Sequence, residues 1–215
     1  MILDLHLHSE RSDDSRAPVE AYLKLLQRKR EERPLDGIVL TEHRQFDLAR
    51  DFRELEDRYG FLILNAAEVE TDYGHVLVFG VNDAMRSAFD FARIDLPLRT
   101  VLREAERCGG IAVPCHPGRP RVGMCAHFET KGPVEGIRVI ETRNGGSRAR
   151  EDEAALRLAE TCGYRGIGGS DAHIVSHIGR CVTRFPAPVR GVGELVEALR
   201  AGEFEAISWK STSTS

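Results

Sequence analysis

The 215-residue sequence has little of three things: long apolar runs, paired cysteines and excess positive charge. Its apolar runs, such as residues 38–40 and 111–113, fall far short of the roughly 20 residues that span a bilayer. We therefore expect no transmembrane helix and no membrane partner. The 30 lysine and arginine residues are fewer than the 34 aspartate and glutamate residues, and the formal net charge is -4. Long nucleic acid is not expected as a partner, because proteins that bind it usually carry a basic excess.

Five cysteines are present, and no two of them form a CxxC pair: Cys108, Cys115, Cys125, Cys162 and Cys181. An odd number without pairs predicts neither a disulfide framework nor a cysteine zinc site, so we interpret these residues as reduced and mostly packing. Cys115 precedes His116 in a strand candidate, and its side chain is therefore expected to point away from that of His116.

The length, with 41% hydrophobic and 30% charged residues, is typical of one soluble globular domain. No repeat or linker divides the chain, which predicts a single catalytic domain over residues 1–210 and a disordered tail over residues 211–215. The N-terminal residues lack a basic stretch followed by a long apolar one. This indicates no secretory signal and makes the cytoplasm the expected compartment.

Short segments rich in Val, Ile, Leu or Phe alternate with helical patterns. Seven of them are strand candidates: residues 2–8, 37–43, 61–70, 75–81, 110–116, 136–144 and 166–173. Apolar residues at i, i+3, i+4 and i+7 predict helices that begin near Val19, Leu98, Ala155 and Val192, and residues 46–59 give a weaker helical pattern. This alternation predicts an α/β fold with parallel strands, either a small irregular barrel or an open doubly wound sheet.

Six of the eight histidines fall at the end of a strand candidate or at the start of one: His6, His8, His43, His75, His116 and His173. Carboxylates accompany them: Asp13, Glu42, Glu68 and Asp171. A side-chain period of two places His6 and His8 on one face of their strand, and likewise Asp171 and His173. Imidazole and carboxylate together suit zinc, iron or manganese. A single histidine at a strand end is more often a hydrogen-bonded residue, but unrelated causes do not account for the joint pattern.

These residues form four ordered motifs: Asp4-Leu-His-Leu-His-Ser-Glu-Arg-Ser-Asp13, Thr41-Glu-His43, His116-Pro117 and Gly169-Ser-Asp-Ala-His173. The set resembles the PHP (polymerase and histidinol phosphatase) superfamily of metal-dependent phosphoesterases. Glu68 and His75 match the glutamate and histidine that this family has between its motifs. The resemblance spans residues 2 to about 202, nearly the whole chain.

The resemblance implies a distorted (β/α)7 barrel with a metal site at the C-terminal ends of the strands. It implies nine ligands for two to three divalent ions (zinc, manganese or iron), in a trinuclear site: His6, His8, Asp13, His43, Glu68, His75, His116, Asp171 and His173. Glu68 would bridge two ions, and Asp13, His43 and His173 would hold the third. Glu42, where many relatives have aspartate, is expected to point away and to support the site.

Clustered divalent ions lower the pKa of bound water from 15.7 to about 7, so a water held by the metal ligands is the predicted catalytic group. Its attack on phosphorus would hydrolyse a small phosphomonoester or a nucleotide-like phosphodiester. Arg119 is a candidate phosphate contact, as are Arg143 and Arg180 with less support. His177 is a candidate substrate contact four residues beyond His173, whereas His127 is expected not to be a ligand.

Three other functions stay open on the sequence. One is a 3′→5′ nuclease acting on nucleic-acid ends, because the PHP superfamily includes such enzymes. Another is a non-catalytic module in which the metals stabilise the fold or a partner interface. The last is hydrolysis of an amide or a ring by similar chemistry.

Overall fold

The structure is a computed structural model that describes residues 1–210, apart from the side chain of Glu129. The predicted disordered tail therefore lies outside the described residues. The strands are β1 (Ile2–Leu7), β2 (Gly37–His43), β3 (Leu62–Thr71), β4 (Gly74–Phe79), β5 (Ile111–Pro114), β6 (Val139–Asn144), β7 (Arg165–Gly169), β8 (Cys181–Arg184) and β9 (Glu205–Ser208). The helices are α1 (Val19–Arg28), α2 (Arg53–Tyr59), α3 (Asp83–Ala88), α4 (Leu98–Arg107), α5 (Cys125–Lys131), α6 (Ala149–Cys162) and α7 (Val192–Ala201), with a 3-10 turn at Val175–His177.

The strands form a mixed sheet that curls into a half-barrel. Its order is β5-β4-β3-β2-β1-β8-β9, with β1, β2 and β3 parallel at the centre and antiparallel pairs on both flanks. β6 and β7 form a separate parallel pair. The chain after β7 returns to β1, where the Asp171 amide donates to the His6 carbonyl and the His8 amide donates to the Ala172 carbonyl. The ends of β1 and β7 therefore lie side by side.

Helices bury the apolar stripes that the sequence predicts. α1 packs Tyr22 and Leu23 against the outside of β1 and β2, and α7 packs Leu195 and Leu199 into the interior beside Leu3. Each fully buried Leu contributes about 1.5–3 kcal/mol relative to an exposed one. Apolar side chains thus fill one end of the half-barrel interior, and polar side chains line the other end. None of the helices within residues 1–210 is long and apolar enough to cross a membrane.

The predicted strands are all present, but the repeating parallel pattern is not. β3 and β4 are joined by only Asp72 and Tyr73, and a parallel pair needs a crossover of a dozen or more residues, so β4 is antiparallel to β3. β8, β9, α3 and α5 are additions that the sequence patterns did not predict. In the stretch predicted as a weak helix, residues 46–59, only Arg53–Tyr59 is helical.

Two predicted site residues have left-handed backbone conformations. His116 follows β5 with φ of 31°, and Asp171 follows β7 with φ of 50°. Such conformations cost about 1–3 kcal/mol for a residue other than glycine, and they occur preferentially at functional sites. Both turns change the direction of the chain where a strand ends, so strand alternation no longer decides where the next side chains point.

Candidate metal centre

Glu68 lies at the centre of the polar end of the half-barrel. β3 carries it beside His43 of the parallel strand β2, and the carboxylate is buried. One oxygen, Oε2, lies 2.8 Å from His6 Nε2 and 3.1 Å from His8 Nε2. The other, Oε1, lies 2.7 Å from His75 Nδ1 and 3.1 Å from His116 Nε2. Each carboxylate oxygen of Glu68 therefore lies between two imidazoles.

Asp171 joins the same cluster from the opposite side. Its Oδ1 lies 3.4 Å from His6 Nε2 and 3.3 Å from His8 Nε2, and 3.6 Å from His173 Nδ1. His6 and His8 thus share two carboxylates, as expected from their common face. His6, His8, Glu68 and Asp171 are all buried, and their ligand atoms lie within 4.8 Å of one another.

We call a second buried set the inner group: His6, Glu68, Cys115 and His116. The expectation that Cys115 points away from His116 is wrong. β5 ends at Pro114, and the left-handed turn at His116 brings both side chains to Glu68. The Cys115 thiol donates to Glu68 Oε1 at 3.4 Å, and its Sγ lies 3.5 Å from His116 Nε2.

The outer group consists of His8, His43 and His173, whose ligand atoms also lie within 4.8 Å. The rings of His43 and His173 flank that of His8, with centroids 4.2 and 4.3 Å from it. Asp14 Oδ2 lies 3.0 Å from His173 Nε2 and 3.3 Å from His43 Nε2. These residues come from the ends of β2 and β7 and from the loop after β1, at the solvent side of the cluster.

The structure differs from the sequence prediction at Asp13. Its side chain is 65% exposed and pairs with Arg44, so Asp13 does not join His43 and His173. Asp14, the next residue, faces them instead. The loop after β1 makes hydrogen-bonded turns at Ser12 and Ser15, and in such a turn adjacent side chains point in different directions.

The charged side chains of the cluster shift one another's pKa values. Burial raises the pKa of the Glu68 carboxyl, but the charge of His6 and the hydrogen bonds from His116, His6 and His75 hold it well below its usual range. Burial lowers the pKa of the His8 imidazole, but the nearby carboxylates of Asp171 and Glu68 raise it to about 9. The buried carboxylates thus require positive charge nearby.

Two further carboxylates support the ligands. Glu141 lies on β6. Its Oε1 is 3.0 Å from His6 Nδ1, and its Oε2 accepts a hydrogen bond from the His116 backbone amide at 2.8 Å. The sequence analysis missed Glu141, although a carboxylate within an apolar strand candidate is a detectable signal. Glu42, as predicted, supports the site: it accepts a hydrogen bond from Ser12 Oγ at 2.7 Å, and this hydroxyl lies 3.2 Å from His8 Nδ1. Such partners fix the orientation of imidazole ligands.

Arg119 lies at the edge of the cluster. Its Nη2 contacts Asp171 Oδ2 at 2.6 Å and donates to Asn144 Oδ1 at 2.7 Å, and its Nε donates to Ser147 Oγ at 3.1 Å. A Cβ at Gly146 would come within 2.5 Å of Nη2, so the glycine leaves room for the guanidinium. These contacts hold the guanidinium in place next to the Asp171 carboxylate, which is one of the predicted metal ligands.

The other candidate contacts are less constrained. His177 lies in the 3-10 turn, where partial burial and the charges of Arg180 and His173 lower its pKa. Arg143 lines a different cavity, on the far side of β6 near Leu156 and Tyr164. His127 is outside the cluster: its Nε2 lies 3.1 Å from the Arg121 carbonyl oxygen.

The donor set fits divalent ions. His8 Nε2 is buried and, within residues 1–210, has no hydrogen-bond partner of suitable geometry, although two carboxylate oxygens lie 3.1 and 3.3 Å away. An unpaired buried nitrogen is costly unless another group binds it. Imidazole nitrogens and carboxylate oxygens are the usual ligands of zinc, iron and manganese.

Comparisons with known proteins agree with this fold. The family model PHP_C, described as PHP-associated, matches residues 149–204. A protein named as a metal-dependent phosphoesterase, from Bifidobacterium adolescentis, is similar in structure, with a TM-score of 0.57 and 14% identity over 92% of this chain and 95% of that one. The lesion-specific endonuclease EndoQ from Pyrococcus furiosus has a TM-score of 0.68 and 14% identity over 96% of this chain and 58% of its own.

The match to the PHP-associated model covers the stretch from the start of α6 to just beyond α7. Another similar structure is that of PsfC from Pseudomonas syringae, with a TM-score of 0.70 and 23% identity over 96% of this chain and 91% of PsfC. At these identities the likeness to solved structures concerns the fold. No curated protein matches the chain.

Proposed function

We propose that this protein belongs to the PHP superfamily and is a metal-dependent hydrolase of a small phosphomonoester or a nucleotide-like phosphodiester. The proposal includes a single catalytic domain over residues 1–210, arranged as a distorted (β/α)7 barrel with the metals at the C-terminal strand ends. The observation that carries it is the burial of Glu68 and Asp171 among histidines, with Arg119 held beside Asp171.

The residues that would hold two to three ions are Glu68 and the histidines of the inner and outer groups, together with Asp171, His75 and Asp14. Bound ions would activate a water at neutral pH and neutralise the phosphate oxygens. The protein's own contribution is to hold the ligands rigidly. Glu141 and Ser12 fix the far nitrogens of His6 and His8, so these rings need little reorganisation when they bind.

Arg119 would bind the phosphate. It is partly exposed, and its Nη2 and Nε are already committed to Asp171, Asn144 and Ser147, which leaves Nη1 for a ligand. A guanidinium fixed in this way can bind phosphate oxygens of the substrate without paying for its own ordering. Asn144 contributes to positioning, because it contacts both Arg119 and Glu141.

A nuclease acting on nucleic-acid ends is the second candidate, since EndoQ is similar over 96% of this chain. The net charge of -4 argues against tight binding of long polymers. Oligonucleotide affinity that falls steeply with added salt would favour the nuclease, whereas weak and salt-insensitive binding would favour a small substrate.

The test is hydrolysis of an aryl phosphomonoester and an aryl phosphodiester by protein loaded with manganese, zinc or iron. Metal-dependent turnover of either ester is the expected result, and the preferred ester would identify the substrate class. Loaded protein that cleaves neither ester would overturn the proposal. If removal of the metal also unfolded that protein, the metals would instead have a structural role.

A further inference from the structure

Within residues 1–210, the fold places the thiol of Cys115 among the proposed metal ligands. The side chain is buried, and its Sγ lies 3.4 Å from Glu68 Oε1 and 3.5 Å from His116 Nε2. A buried cysteine usually packs against apolar side chains. Here the sulfur meets a carboxylate and an imidazole instead.

The distances match those between two ligands of one ion. A metal–sulfur bond of about 2.3 Å and a metal–nitrogen bond of about 2.0 Å at a tetrahedral angle place sulfur and nitrogen about 3.5 Å apart. The observed Cys115 Sγ to His116 Nε2 distance has this value. The four ligand atoms of the inner group lie within 4.8 Å of one another.

A second observation concerns the set His6, His8, Glu68 and Asp171, which shares His6 and Glu68 with the inner group and is built for a ligand. His8 Nε2 is fully buried, points at Glu68 and Asp171, and has no hydrogen-bond partner of suitable geometry among the described residues. Cys181, the other buried cysteine of the described residues, provides a contrast: its Sγ donates to the Ser208 hydroxyl at 3.6 Å, where β8 pairs with β9. Burial alone therefore does not place a thiol at this site.

We propose that Cys115 is a sulfur ligand of the ion bound by the inner group. This inference rests on the metal centre of the proposed function and extends it to a ligand that the sequence motifs did not include. On binding, the thiol releases its proton to solvent and forms a metal–sulfur bond, with no change of oxidation state. A thiolate ligand favours zinc, iron or cobalt over manganese and magnesium, which prefer oxygen.

Absorption spectroscopy of the cobalt(II)-substituted protein tests the proposal. We expect a near-ultraviolet sulfur-to-cobalt charge-transfer band in the native sequence. Cys115→Ala and Cys115→Ser should lose this band and keep the visible d–d bands of bound cobalt. The matched control Cys181→Ala should retain both. The same Cys115 variants should lower the ratio of zinc to manganese affinity by about 10-fold or more.

The outcomes separate this inference from the metal centre itself. If cobalt binds to the native protein and gives d–d bands but no charge-transfer band, Cys115 is not a ligand. This result would not contradict the metal centre itself. A charge-transfer band that survives in Cys115→Ala would likewise overturn it, since the sulfur would come from another cysteine. Native protein that takes up no cobalt would overturn both.

Discussion

The inner and outer groups of the cluster use the same kinds of side chain in different surroundings. The inner group is buried throughout and is held by β1, β3 and the chain just after β5. In the outer group only His8 is fully buried: the His173 side chain is 28% exposed, and its neighbour Asp14 is 51% exposed. The inner ligands also have buried partners such as Glu141, whereas His43, His173 and Asp14 are partly exposed.

This difference predicts two kinds of metal site in one cluster. The inner ligands are held by strands and by hydrogen bonds to residues such as Glu141, so they are ordered before an ion binds. An inner ion should therefore bind tightly and exchange slowly. Ligands on loops must be ordered by the ion, and this cost lowers affinity. An outer ion should therefore exchange readily, and its loss should leave the fold intact.

Loss of the Glu68 charge should have the largest effect on turnover. Glu68 belongs to the inner group, and its Oε2 also lies 3.1 Å from His8 Nε2 of the outer group. Glu68→Gln keeps the shape of the side chain but removes the charge that faces five histidines. We expect kcat of the loaded enzyme to fall by about 10³-fold or more, equivalent to several kcal/mol of lost transition-state stabilisation. The exposed Glu153→Gln is the matched control in an ester-hydrolysis assay. Retention of near-native turnover by Glu68→Gln would contradict the central position of this residue.

A smaller effect is expected when a buried supporting residue of the inner group is changed. In Glu141→Gln, either His6 Nδ1 or the His116 amide loses its acceptor. The affinity for the tightest ion should fall by about 10- to 100-fold. Competition with a chelator measures this affinity. An unchanged value would mean that Glu141 supports folding alone.

Arg119 lies beside both groups without belonging to either. Arg119→Ala should lower kcat/KM for the phosphate ester by about 10- to 100-fold, mainly through KM, because a charge-assisted hydrogen bond contributes about 1.5–3 kcal/mol. Metal content should not change. The exposed Arg157→Ala serves as the control. Equal KM and kcat in Arg119→Ala and the native enzyme would remove Arg119 from the substrate site.

The outer group can be tested with adjacent aspartates. Asp14→Asn should weaken the most labile ion by about 10-fold, while Asp13→Asn should leave it unchanged, because only Asp14 faces His43 and His173. Titration of metal-depleted protein with zinc reports each site. The reverse result, with loss of the ion in Asp13→Asn only, would restore the assignment that the sequence motif implies.

The smallest effect belongs to a histidine outside both groups. His127→Ala should change neither metal content nor turnover, and it should change the free energy of unfolding by less than about 0.5 kcal/mol. Metal analysis and urea unfolding of the variant measure both. A lost ion in this variant would mean that the cluster extends beyond the residues assigned to it.

The contrast between ligands on strands and ligands on turns or loops also explains what could be predicted from the sequence. Strand and helix positions follow from apolar periodicity, and the histidines that end strands converge because parallel strands end at one edge. The side chains of Cys115 and Asp14 could not be placed in this way. Each lies where the chain leaves a strand or turns, and there backbone dihedrals decide the direction of a side chain. β4 became antiparallel because its connection to β3 is too short for a crossover.

The central claim is that Glu68 organises a cluster of bound divalent ions. The most direct measurement is elemental analysis of the native protein and Glu68→Gln after metal removal, reloading with zinc and desalting. The account predicts two to three ions per chain in the native protein and at most one in the variant. Fewer than one ion per native chain, or equal content in both proteins, would contradict it.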